Sequence, residues 1–226
     1  MVPLRNIIGH FSTITRHKIL VGKECFRVGL YRQGVLHDLS KYSCEEFSSG
    51  VRYYQGNRSP NAAEKEALGY SRAWLHHKGR NKHHFEYWID FEPGRSGKLV
   101  GNPMPLRYVI EMFLDRVAAS KIYRGKDYTD RSALDYYNIL RGAGYMHRKT
   151  QHELEFLLNL LADRGEDYTY AFIRALLLRE KVRRVDQRRE ELGSFAGRIL
   201  RKAEVPVKAA RQLKEQAENL AHILLG

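Results

Sequence analysis

The sequence predicts an all-α protein. Apolar residues recur at helical spacing along most of the chain, helix-start signatures precede several of these runs, and chain breakers concentrate in one stretch, residues 85 to 105. The expected organisation is a helical domain over residues 1–145 followed by a basic helical extension over residues 146–226.

Ile14, Val21, Cys25, Val28 and Leu36 follow a helical period through a first helix and into a second, with a break around Gly29 to Gly34. Ser43 with Glu46 makes a capping box, so a helix begins just after the turn at Lys41. Residues 53–58 read as a loop. Ser59 and Pro60 supply an N-cap and a first-turn proline for a helix running through Glu64, Leu68 and Trp74 towards His77, with Gly79 as its stop. The glycines and prolines of residues 85–105 then predict a loop long enough to cover a site.

From Leu106 the pattern Tyr108, Val109, Met112, Phe113 and Val117 predicts a strongly amphipathic helix to about Lys121, with Asp115 near its middle. Thr129 or Asp130 starts another, ending at Gly142. Thr150 with Glu153 is a second capping box, ahead of the leucine-rich run from Leu154 to Leu161 that Arg164 and Gly165 stop. Ala171 to Leu192 and Val207 to Leu225 read as two final helices separated by Gly193, Gly197 and Pro206.

A chain of 226 residues, 43% hydrophobic and 29% charged, buries a substantial core. No apolar run approaches the roughly 18 residues of a membrane span, and the N-terminus lacks a signal-peptide core, so a cytoplasmic protein with no membrane partner is expected. Two cysteines, Cys25 and Cys44, make neither a disulfide framework nor a Cys-x-x-Cys zinc site. Cys25, among helical apolar residues, reads as a core thiol. A net charge of +13 and a pI near 9.8 attract phosphate-bearing partners without identifying one. From Arg174 onward there are 13 basic and 7 acidic residues, a net +6, which suits a solvated helix face, an anionic polymer such as nucleic acid, or another subunit.

The most chemical stretch is His37-Asp38-Leu39-Ser40-Lys41. An imidazole beside a carboxylate suits Zn, Mn or Fe and tolerates Mg, whereas an unpaired buried Asp would cost several kcal/mol. Seven of the ten histidines fall before residue 85, among them His17 and the cluster His76, His77, His83 and His84. His17 fits a ligand or a satisfied core histidine, and Asp115 fits a ligand or a buried ion pair with Arg16 or Arg116. His76 and His77 lie about 100° apart on a helix, so one ligates while the other packs or contacts substrate. His83 and His84 fit a site or a solvated loop. Lys41 follows the doublet closely enough to bind phosphate, with Arg80, Lys82 and Arg124 as further substrate-binding candidates. Trp74, Tyr87 and Trp88 read as core.

With these residues in view, the chain resembles the HD superfamily of metal-dependent phosphohydrolases, helical proteins whose ligands are a His, a His-Asp doublet and a later Asp. His17, His37 with Asp38, and Asp115 stand in that order. It is similar also to the HD-GYP branch: the doublet with Lys41, then His76-His77-Lys78-Gly79-Arg80-Asn81, then Asp115 followed by Tyr123-Arg124, preserve its order. Lys78 replaces a Glu of that branch and the Gly-Tyr-Pro signature is missing. The segment from Ala73 to His84 is similar to an uncharacterised bacterial family sometimes labelled catalase.

The resemblance implies a bundle over roughly residues 10 to 130 holding one or two divalent ions (Mn, Fe, Zn or Mg) on His17, His37, Asp38, His76, His77, His83 and Asp115. It implies hydrolysis of a phosphomonoester or phosphodiester, nucleotide-related, with Lys41 and Asp38 as catalytic groups. Two rivals stand beside it: an HD-type di-iron oxygenase, and a non-catalytic module that binds nucleic acid or a partner through its basic C-terminal helices. A homo-oligomer is compatible with each.

Overall fold

The computed structural model describes residues 2–94, 97–139 and 144–202 and, over them, is all-α with one small hairpin. The chain clusters into two compact units, Met1–Arg174 and Ala175–Gly226. Among the described residues no helix is long and apolar enough to cross a membrane.

Helix α1 (Leu4–Val28) buries His10, Ile14, His17, Val21, Cys25 and Val28 along one stripe, so two histidines share the face that the apolar residues turn inward. Gly29, at φ 90°, ends it in the left-handed conformation that glycine adopts without strain. The break is shorter than expected: α2 (Tyr31–Leu36) resumes within two residues and contains Gly34. A Cβ on Gly34 would lie 3.0 Å from Cys25 Cβ and 3.1 Å from the Gly22 carbonyl oxygen, so this glycine permits the close approach of α2 to α1. That approach carries His37 to the side of His17.

After a 3-10 turn over Leu39–Tyr42, α3 (Cys44–Arg52) starts on Ser43, whose hydroxyl accepts from the Glu46 N–H at 3.4 Å. The single helix expected from Pro60 to His77 is two, α4 (Pro60–Leu68) and α5 (Arg72–Arg80). Gly69 takes φ 79° and Ser71 caps α5 by accepting from Trp74 N–H at 2.9 Å, while Gly79 stays inside the helix. Residues 85–105, expected as loop, contain the antiparallel strands β1 (Ile89–Phe91) and β2 (Leu99–Gly101), with Ile89 opposite Gly101.

Helix α6 (Leu106–Arg124) is not one-sided: Val109 to Leu114 are buried consecutively, with Val117 and Ala118 beyond them. It is the central rod of the bundle, and each fully buried large side chain such as Phe113 contributes about 1.5–3 kcal/mol. α7 (Ser132–Ile139) follows; Gly142 lies outside the described residues.

Helix α8 (Arg148–Lys202) begins before the expected capping box, with Thr150 buried inside it and accepting from Met104 N–H at 2.9 Å. Gly165, at φ 76° and ψ 175°, breaks it where a stop was expected. Gly193 does not interrupt it, and Pro206 with Val207 to Leu225 lies outside the described residues. The first unit extends past residue 145 to Arg174, because Leu154, Leu157, Leu158, Leu161, Tyr170 and Ile173 are buried in it. Ion pairs reinforce this docking: Lys121 reaches Glu24 at 2.7 Å and Glu166 at 2.5 Å, and Arg27 reaches Glu166 at 3.0 Å.

Candidate metal centre

Asp38 is the hub. It sits immediately after α2 in the left-handed region at φ 52°, ψ 26°, a conformation a non-glycine residue adopts at a cost. The Lys18 ammonium donates to the carbonyls of Val35 at 2.7 Å and His37 at 2.8 Å and so fixes the end of α2 from α1. The turn presents the two carboxylate oxygens of Asp38 to different neighbours. Oδ2 lies 3.3 Å from His37 Nε2, 3.8 Å from His17 Nε2 and 2.6 Å from Lys41 Nζ. Oδ1 lies 3.3 Å from His77 Nε2 and 3.4 Å from His83 Nε2. From α6, Asp115 Oδ1 reaches His17 Nε2 at 2.8 Å and His37 Nε2 at 3.5 Å.

Among the described residues, three groups of side chains have the donors and the convergence to hold a metal ion: His17, His37, Asp38 and Asp115; Asp38, His77, His83 and His84; and His37, His83 and Glu111. Fit to a cation is tested by the orphaned atoms. The Nε2 atoms of His17, His37, His83 and His84 and both oxygens of Asp38 are buried without a well-directed hydrogen bond, Lys41 meeting Asp38 and Asp115 meeting His17 as ion-pair contacts, although buried polar atoms are normally satisfied. Donor type and orphaned lone pairs together match a divalent cation.

The far side of several rings is anchored. His37 Nδ1 faces Glu111 Oε1 at 3.0 Å, His83 Nδ1 faces the same oxygen at 3.3 Å, and His77 Nδ1 faces Glu46 Oε2 at 2.8 Å. A carboxylate on Nδ1 sets the tautomer and turns Nε2 inward, as histidines that ligate metals require. Asn81 and Ser40 also contact His77 Nδ1, at 3.1 Å and 3.3 Å.

Burial alone would raise the Asp38 carboxyl, but His37, Lys41 and His77 outweigh it and hold it well below the usual carboxylate range. Asp115 is held down similarly: burial is overridden by His17 and His37. Burial works to lower His37, yet Asp38, Asp115 and Glu111 raise it well above the ordinary imidazole value. Burial, then Lys41, lowers His17, and burial with His83 and His77 keeps His84 well below that value.

Of the residues singled out from the sequence, His17, His37, Asp38, His77, His83 and Asp115 come together. His76 does not: its Nδ1 is tied to Glu46 at 2.6 Å and its Nε2 lies 3.9 Å from Glu45, outside the convergent groups. The substrate-binding candidates are placed apart from one another. Arg80, Lys82 and Arg124 are exposed and none lines the cavity of about 220 Å³ beside the centre, whereas Lys41 and Arg58 do. Lys41 stands on the 3-10 turn, and Asp38 keeps its ammonium charged against the pull of burial. Trp74 is a wall of that cavity rather than core, its ring stacked on His77 at 5.7 Å. Tyr87, expected as core, is 38% exposed.

Sequence reasoning missed Glu111, Glu46 and His10, and left His84, which joins a convergent group, open between a site and a solvated loop. Glu111 had a signal, since an acid inside the apolar run 109–114, one turn before Asp115, is a buried charge in need of a partner. His10 stands seven residues before His17, on the same helix face.

No curated protein and no solved structure matches the chain. A family profile matches residues 6–160, which cover α1 to the leucine-rich start of α8 and every residue of the centre. On that match over more than half its length, the chain belongs to DUF5662, a family of unknown function.

Proposed function

We propose that this protein is a metal-dependent phosphohydrolase with an HD-like arrangement of ligands, acting on a phosphomonoester or phosphodiester. The observation that carries the reading is the set of orphaned Nε2 and carboxylate atoms around Asp38, backed by Glu111 and Glu46 on the opposite ring nitrogens. A bound divalent ion supplies Lewis-acid activation of water and of the phosphoryl oxygen. His17, His37, Asp38 and Asp115 would hold one ion, and Asp38 with His77, His83 and His84 would hold a second.

The chain's own residues do the rest. Lys18 holds the Asp38 turn, and the two buried glutamates hold three rings, so the ligands are preorganised. Lys41 lines the cavity beside the centre and places a permanent cation where a phosphoryl group enters. Burial excludes bulk water from the ligand atoms, which strengthens each of these interactions.

The test is elemental analysis of protein purified without added metal, followed by a screen of phosphate esters with the identified ion and with Mn²⁺. Turnover that Asp38→Ala abolishes is expected; an Asp38→Ala protein as active as wild type defeats the assignment. The imidazole-rich group His77, His83 and His84 favours a second reading, an HD-type di-iron oxygenase. Tightly bound iron with an oxygen-sensitive absorption band, and no phosphatase activity with Mn²⁺ or Mg²⁺, selects it.

A further inference from the structure

We propose that the cavity beside the centre recognises the hydroxylated body of a small phosphomonoester, a sugar or polyol phosphate, and disfavours nucleotides. The inference rests on the phosphohydrolase reading and narrows its substrate class.

Away from the ligands, the cavity is lined by His10, Thr13, Tyr54, Ser59 and Asn61, groups that exchange hydrogen bonds with hydroxyls. His10 joins them as a neutral imidazole, because burial, and then Lys41, lower its pKa to about 4. Two rings of this wall are set in place by absent side chains. A Cβ on Gly50 would fall 2.1 Å from His10 Nε2, and one on Gly9 would fall 2.5 Å from Tyr54 Cε1. The Tyr54 hydroxyl is paired with Thr13 Oγ1 at 3.2 Å, and the His10 and Tyr54 rings meet edge to face at 6.1 Å. These polar groups are preorganised within a lining that also carries Ile14, Pro60 and Ile122.

Trp74, the indole of this lining, gives a nucleobase little to stack on. One face of Trp74 lies on His77 at 5.7 Å and 28°, and Lys65 Nζ stands over the indole at 5.5 Å. Charge points to one phosphoryl group: Arg58 is engaged by Glu66 at 2.7 Å on both terminal nitrogens and by Gln55 at 2.6 Å, and Lys41, itself paired with Asp38 at 2.6 Å, stands next to the centre. The volume, about 220 Å³, is below the roughly 300 Å³ at which pockets for larger ligands begin.

The experiment measures kcat and KM of the full chain with Mn²⁺ on ribose 5-phosphate, glycerol phosphate, adenosine 5′-monophosphate and p-nitrophenyl phosphate. The expected result is a kcat/KM at least about tenfold higher on ribose 5-phosphate than on adenosine 5′-monophosphate, the scale of one well-made hydrogen bond. Tyr54→Phe, which removes one oxygen, should raise KM for ribose 5-phosphate with kcat little changed, and Gly50→Ala should do so more strongly by displacing His10. Bound metal measured in parallel should stay at the wild-type level in both. A preference for adenosine 5′-monophosphate, or hydrolysis of p-nitrophenyl phosphate without ribose 5-phosphate, overturns the inference and leaves the phosphohydrolase reading standing. A KM that neither substitution moves also overturns it. Failure to hydrolyse any ester by protein that retains its metal removes both.

Discussion

Glu111 Oε1 lies 3.0 Å from His37 Nδ1, and that pairing leaves His37 Nε2 facing Asp38 at 3.3 Å. The same carboxylate oxygen stands 3.3 Å from His83 Nδ1, so one buried acid on α6 orients a ring from each of two ligand groups. Glu111→Gln keeps the volume and removes the charge. It is expected to weaken divalent-ion affinity about 10- to 100-fold, measured by calorimetric titration with Mn²⁺. Wild-type affinity in that variant would show that these rings need no anchor.

Lys18 tests a different kind of support. Its ammonium bridges the carbonyls of Val35 and His37 just ahead of the left-handed Asp38. Lys18→Met removes two hydrogen bonds from a charged donor, each worth about 1.5–3 kcal/mol, and frees a strained turn to relax. Mn²⁺ affinity should fall about tenfold or more while the far-UV circular dichroism stays helical, and Lys18→Arg should recover part of the loss. Equal affinity in the Met and Arg variants would contradict this.

Lys121 bears on stability rather than chemistry. It pairs with the buried Glu24 and with Glu166, joining α1, α6 and α8. Lys121→Met leaves Glu24 with Arg27, at 2.9 Å, as its partner. The expected loss is about 2 kcal/mol in urea unfolding, between the values for exposed and fully buried pairs. A change within about 0.5 kcal/mol would reduce the network to surface decoration.

His10 predicts a pH dependence. Its folded pKa, lowered to about 4 by burial and then by Lys41, lies below the ordinary imidazole value of 6.5. A depressed base binds fewer protons folded than unfolded, so stability is held above pH 6.5 and declines as pH falls from 6.5 towards 4. His10→Gln should flatten that part of a thermal-melt profile against pH. A variant whose melting temperature falls as steeply as wild type over that window would contradict the assignment.

The helices were legible because apolar spacing reports burial, and the doublet, His17 and Asp115 were legible because polar groups on inward stripes are conspicuous. Glu46 was hidden by its other reading: its N–H does meet Ser43, while its carboxylate turns to His76 and His77. The break between α4 and α5 was hidden because Gly69 and Ser71 interrupt a run that apolar periodicity carries straight across. Arg80 and Lys82 looked suitable by nearness to histidines, but sequence proximity does not state which way a helix end faces, and both point to solvent. Arg58 and Tyr54 reach the cavity from a loop with no chemical motif.

The most direct measurement is metal content per chain after purification without added metal, in wild type and in Asp38→Ala. The account expects at least one equivalent of a divalent transition metal in wild type and less than about a tenth of that in the variant, with the helical circular dichroism retained. A well-folded wild-type protein that carries no metal and takes up none from Mn²⁺, Fe²⁺ or Zn²⁺ would contradict it.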